Sequence, residues 1–156
     1  MNKIKISIAE DNSFLLHSLK EKLGMIDNVE IKQTAYNGKE LIELLDQNSR
    51  IDVVLMDIQM PEMDGIEATT IIKAKYPHIK IVMLTVFDDD KNIFNAIQAG
   101  ADGYLLKETG PHDLYKGLKE ILEGGAPMTP IVASKALQFL RKVPEFANQK
   151  DENPLS

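Results

Sequence analysis

Two spacings of apolar residues alternate along residues 1–125. Every second position apolar predicts a half-buried strand; apolar positions three or four apart predict an amphipathic helix. Lys3 to Ala9 reads as a strand with Ile4, Ile6 and Ile8 on one face. Phe14 to Met25 reads as a helix through Leu15, Leu19 and Leu23. A strand over Val29 to Ala35 and a helix over Gly38 to Gln47, with Leu41, Leu44 and Leu45 on one face, come next. Val53 to Met56 is apolar throughout and runs into Asp57. A helix over Ile66 to Tyr76 stops before Pro77, because the residue preceding a proline avoids the helical region. Ile81 to Leu84 runs into Thr85. The following helix, Asp89 to Ala99, ends at Gly100, a residue suited to a left-handed cap. Tyr104 to Leu106 runs into Lys107, and a helix over Pro111 to Glu123 is closed by Gly124-Gly125.

Five strand–helix units predict an α/β architecture: a doubly wound parallel sheet with helices on both faces. The runs at Val53 and Ile81 are apolar at every position, as in central strands. The run at Val29 carries Glu30, Lys32 and Gln33 and suits an edge. A (βα)5 flavodoxin-like fold with strand order 2-1-3-4-5 satisfies both. Residues 1–125 are assigned to this domain. Thr129-Pro130 is a helix start, a hydroxyl cap followed by proline at the first helical position. A linker helix is expected within 126–143, with Val132, Ala136, Leu140 and Val143 on one face, ending at Pro144. Residues 144–156 are mostly polar and aperiodic and predict a linker or a disordered tail.

Composition narrows the chemistry. The 156 residues include no cysteine, which removes disulfides, thiolate catalysis and cysteine-bound zinc. No secretory leader and no span-length apolar run is visible, so a cytoplasmic location without membrane contact is expected. The net charge of -6 makes the chain itself a poor partner for nucleic acid.

In such a sheet, ligands bind beyond the carboxyl ends of the strands, where strand order reverses. Strand one ends in Glu10-Asp11 and strand three in Asp57. Neighbouring strands lie about 4.8 Å apart, so three carboxylates converge. Two charges about 4 Å apart repel by about 4 kcal/mol at an effective dielectric of 20, and a cation relieves them. Oxygen-only ligands favour a hard ion: Mg2+ first, Mn2+ second, with the backbone carbonyl of Gln59 as a further ligand. Thr85 and Lys107 end strands four and five at the same edge. Together these groups suit phosphoryl transfer to Asp57, with Lys107 and the metal neutralising the phosphoryl oxygens and Thr85 donating a hydrogen bond. Singly, Asp57 is a turn former, Lys107 a solvated strand-end lysine and Thr85 unremarkable. Their joint placement carries the reading.

Ala9-Glu10-Asp11-Asn12, Leu55 to Pro61, Met63-Asp64-Gly65, Leu84-Thr85 and Ala99 to Lys107 resemble the response-regulator receiver domains of two-component signalling. The resemblance covers residues 1–125. It implies a phosphoacceptor, not an enzyme, loaded at Asp57 by a sensor histidine kinase. It also implies switching through Thr85 and Tyr104, whose ring turns inward as Thr85 moves. Gln59 and Phe87 flank the site and are expected to tune access to it. Glu108 follows Lys107 where many receivers have a proline. The stretch Gly103 to Ala136 looks like the NarL/FixJ branch, in which a LuxR-type helix-turn-helix follows. That implies a phosphorylation-dependent homodimer controlling transcription, with DNA bound by a C-terminal domain absent from this chain. The alternative is a stand-alone receiver that signals by protein contact. A haloacid-dehalogenase-like phosphatase is disfavoured, since it needs an acid two residues after the nucleophile and Gln59 stands there. The acidic loop after strand one disfavours a nucleotide-binding flavodoxin-like protein.

Overall fold

The alternation of spacings becomes an alternation of strands and helices in the computed structural model, which describes residues 3–86 and 89–151, with side chains as far as Arg141. The strands are β1 (Ile4–Ala9), β2 (Val29–Ala35), β3 (Val53–Met56), β4 (Lys80–Thr85) and β5 (Gly103–Leu106). They form one parallel sheet in the order β2-β1-β3-β4-β5, as predicted. β3 is buried along its whole length, whereas β2 alternates between half-buried and exposed positions from Val29 to Gln33. Edge strand β2 slips register between Ile6 and Ser7, so that Ser7 pairs with Gln33. The Ser7 hydroxyl donates to Gln33 Oε1 at 2.8 Å, and the Gln33 amide donates to the Leu44 and Asn48 carbonyls. A polar residue in a strand thereby closes the end of a helix.

Helices α1 (Ser13–Gly24) and α5 (Pro111–Leu122) cover one face of the sheet. Leu16, Leu19, Leu23, Leu114, Leu118 and Ile121 pack there on Ile6, Ile8, Val53, Leu55 and Val82. α2 (Gly38–Gln47), α3 (Gly65–Lys75) and α4 (Asp90–Ala99) cover the other, over Val54, Met56, Ile81 and Met83. Each fully buried aliphatic side chain contributes about 1.5–3 kcal/mol. Asn12, Asn37, Asp64 and Asp89 cap the first four helices by accepting a backbone N–H three residues on. Each cap is worth about 1 kcal/mol. Gly100 closes α4 with φ 104°.

α6 (Pro130–Asp151) starts where Thr129-Pro130 predicts. It differs from expectation at its far end, since Pro144 does not stop it and the expected tail from 144 is helical as far as 151. Proline forfeits one hydrogen bond to the preceding turn. The residues after it, Glu145 to Lys150, contain no glycine or β-branched side chain, so propensity favours continuing. α6 lies on α4: Val132 is buried, Phe139 meets Phe94 at 5.1 Å between ring centres, and Lys135 pairs with Asp90 at 3.4 Å. The segment leading into it runs beside β5. Tyr104 N–H donates to the Pro127 carbonyl, Thr129 N–H to the Tyr104 carbonyl, and Leu106 N–H to the Thr129 hydroxyl. An edge strand's open backbone groups are satisfied in this way. Among the described residues no helix is long and apolar enough to cross a membrane.

Candidate functional site

Strand register builds the site. Ala9 pairs with Met56, so Glu10 and Asp57 leave the sheet side by side. Asp57 N–H donates to the Ala9 carbonyl at 3.0 Å and Glu10 N–H to the Ala35 carbonyl at 2.9 Å. Thr85 pairs with Leu106, and Lys107 N–H donates to the Thr85 carbonyl at 2.9 Å. Three strand ends thus deliver two acids and a lysine to one edge.

The Lys107 ammonium bridges the acids, bonding Glu10 Oε1 and lying 3.1 Å from Asp57 Oδ2. Asp57 Oδ1 accepts the Ile58 N–H at 2.8 Å, and Glu10 Oε2 accepts the Asn12 N–H at 3.2 Å. Both carboxylates are therefore held from two sides. Glu10 and Asp57 are buried while Asp11 is exposed. Burial pushes the Glu10 carboxyl above its ordinary range; the Lys107 bond opposes this, and the Asp57 charge reinforces it.

Carboxylate oxygens of Glu10, Asp11 and Asp57 lie within 4.8 Å of one another. Three carboxylates against one ammonium leave two negative charges unbalanced, so the cluster could bind a divalent metal. All its donors are oxygens, as a hard cation requires. Gln59 borders the same open depression as the three acids and Lys107.

The other predicted positions fall as follows. Thr85 is fully buried at the end of β4. Tyr104 is also fully buried, in the core with Ile93, Ala96 and Val132. Phe87 lies outside the described residues. The loop after Lys107 has no cis peptide bond among the described residues.

Two features of the site escape sequence reasoning. A Cβ on Gly65 would stand 2.0 Å from the Asp57 carbonyl oxygen, so α3 can start against Asp57 only with glycine there. Gly65 N–H donates to the Ile58 carbonyl at 2.7 Å, which fixes the backbone just past Asp57. The motif around Gly65 was visible, but the close approach was not. Glu62 takes φ 66° in a tight turn where Met63 N–H reaches the Pro61 carbonyl. No residue type announces this, since glutamate rarely adopts that conformation.

Residues 6–119 match the family model described as the response regulator receiver domain. The chain is 33% identical over 142 residues to the transcriptional regulatory protein DegU of Brevibacillus brevis, covering 91% of this chain and 60% of that protein. It is 32% identical over 152 residues to the response regulator protein VraR of Staphylococcus epidermidis, covering 97% of this chain and 72% of that protein. The chain thus spans about 60–70% of the length of these curated relatives. Among solved structures it is similar to the isolated receiver domain of RcsB from Salmonella enterica serovar Typhimurium, determined with the phosphomimetic BeF3−. The TM-score there is 0.77 at 25% identity, over 86% of this chain and 99% of that one.

Proposed function

This chain belongs to the response regulator receiver domain family, and from that premise we propose that Asp57 accepts a phosphoryl group from the phosphohistidine of a sensor kinase. The observation that carries the reading is the bridging of Glu10 and Asp57 by Lys107, with Asp11 beside them. An Asp57 carboxylate oxygen attacks phosphorus, the P–N bond breaks, and its electron pair stays with the imidazole. The Ile58 N–H holds one Asp57 oxygen and so orients the nucleophile. Lys107 neutralises charge on the phosphoryl oxygens, a contribution that is mostly electrostatic positioning. Glu10, Asp11 and Asp57, with the Gln59 carbonyl, would hold Mg2+, or Mn2+ in its place. That ion supplies charge neutralisation for the transferring group. Thr85 donates to the bound phosphoryl group, Tyr104 follows it, and Gln59 and Phe87 set how readily water reaches the site.

The chain acts as a phosphoacceptor rather than an enzyme, in the cytoplasm. Transcription control through a C-terminal DNA-binding domain, with phosphorylation-dependent self-association, is supported by the greater length of DegU and VraR and by their names. It is supported also by a structure of RcsB dimers on DNA. The test is intact mass after incubation with acetyl phosphate and Mg2+. One phosphoryl adduct is expected on the wild type and none on Asp57→Asn. An unmodified wild type across several donor concentrations would refute the reading.

A further inference from the structure

Lys22 sits in the last turn of α1, where a basic side chain ordinarily offsets its own helix dipole. Here the ammonium crosses instead to the loop joining β5 to α5. It donates to the carbonyl oxygens of Lys107 at 2.8 Å and Thr109 at 3.1 Å. Thr109 turns back on the Leu106 carbonyl through its N–H at 3.0 Å and its hydroxyl at 2.6 Å. No proline lies between Lys107 and Gly110, so no ring restrains φ. The peptide on one side of the Lys107 Cα is held by the Thr85 carbonyl. The peptide on the other side is held by Lys22. Lys22 also borders a cavity of about 30 Å³ together with Ser18, Glu10, Asp57 and Lys107.

A lysine stem is flexible, with about 2 kcal/mol of rotamer entropy. The Lys107 ammonium must nevertheless serve two carboxylates at once, and the place where its main chain is anchored decides whether it can. We infer that Lys22 is a positioning residue for phosphoryl transfer: by fixing the main chain at Lys107 from α1, it keeps the Lys107 ammonium on Asp57 and Glu10. The inference rests on the phosphoacceptor reading of Asp57. It adds α1, through Lys22, to the elements that set the rate.

The test measures initial phosphorylation rates against acetyl phosphate concentration at fixed Mg2+, by intact mass, for wild type, Lys22→Met, Lys22→Arg and Lys20→Met. Misplacing a charged group costs about tenfold or more in rate. Lys22→Met is therefore expected to lower the saturating rate about tenfold and to change the half-saturating concentration less than about twofold. Lys22→Arg is expected to recover most of the loss, because a guanidinium also donates to two carbonyls. Lys20→Met removes the same charge from an exposed position on α1 and is expected to match the wild type. Should the methionine variant fail to fold, Lys22→Gln is read in its place with the same expectation. A wild-type rate in Lys22→Met overturns the inference, as do equal losses in Lys22→Met and Lys20→Met or a loss confined to half-saturation. A wild type that takes no phosphoryl group fails the Asp57 reading instead, and the role of Lys22 falls with it.

Discussion

Asp57→Asn should make the metal-free protein more stable. The change keeps the size of the side chain, and its amide oxygen can still accept the Ile58 N–H. It removes one negative charge from a cluster whose oxygens lie within 4.8 Å of one another. At an effective dielectric of 20, a pair at the far limit of that range repels by about 3.5 kcal/mol. Asp57 has two such partners, Glu10 and Asp11. Against them stands its attraction to Lys107 at 3.1 Å, about 5 kcal/mol on the same scale. The repulsions exceed the attraction by about 2 kcal/mol, less at high salt. For a chain of this length that is a rise in Tm of about 4–8 °C. Mg2+ should reverse the order. A ligand at a hundred times its Kd stabilises by about 2.7 kcal/mol, and the wild type offers it one more carboxylate. Scanning calorimetry of both proteins in EDTA and in MgCl2 measures the two differences. A variant that melts below the wild type in EDTA would refute the electrostatic reasoning. So would an unchanged gap in MgCl2.

Three further outcomes are expected. Because the folded Glu10 carboxyl is raised above its ordinary value of 4.5, the folded state holds its proton longer than the unfolded chain. Metal-free stability should therefore fall as pH rises from about 4.5 through the folded pKa, with the penalty absent below that window and complete above it. Asp57→Asn removes one upward cause and should flatten this slope, as urea denaturation across pH 4.5–8 in EDTA would report; a steeper slope in the variant contradicts the assignment. Gly65→Ala drives a Cβ into the Asp57 carbonyl oxygen and should cost about 1–3 kcal/mol, together with most phosphorylation by acetyl phosphate. Wild-type Tm and phosphorylation would show that α3 yields without disturbing Asp57. Thr129→Val leaves the Leu106 N–H without its acceptor and should cost about 1–3 kcal/mol. Hydrogen exchange should then quicken at Tyr104 and Leu106, and unchanged protection there would mean that the segment beside β5 contributes nothing to its stability.

The receiver architecture was legible in the order of residues because it rests on local pattern. All-apolar β3 and half-polar β2 announce the centre and the edge of the sheet, since burial on two faces or one selects different residue types. Thr129-Pro130 announces the start of α6, because a hydroxyl cap and a proline's fixed φ both suit a helix's first turn. The acids and the lysine at the strand ends were legible for a related reason. Parallel strands place all their carboxyl ends at one edge, so position along the chain becomes position in space.

Tertiary structure decided what depends on contacts between distant residues. Gln33 reads as edge polarity and instead bonds Ser7 and closes α2. Gly65 reads as part of a motif, while its clash with Asp57 exists only once α3 is folded against β3. Nothing in the sequence pattern singles out Lys22. Its bonds to Lys107 and Thr109 arise only because α1 and α5 share one face of the sheet. Residue type and spacing thus determined which groups meet at the site. The meeting of helices determined what holds them still, since that depends on distances between segments far apart in the chain.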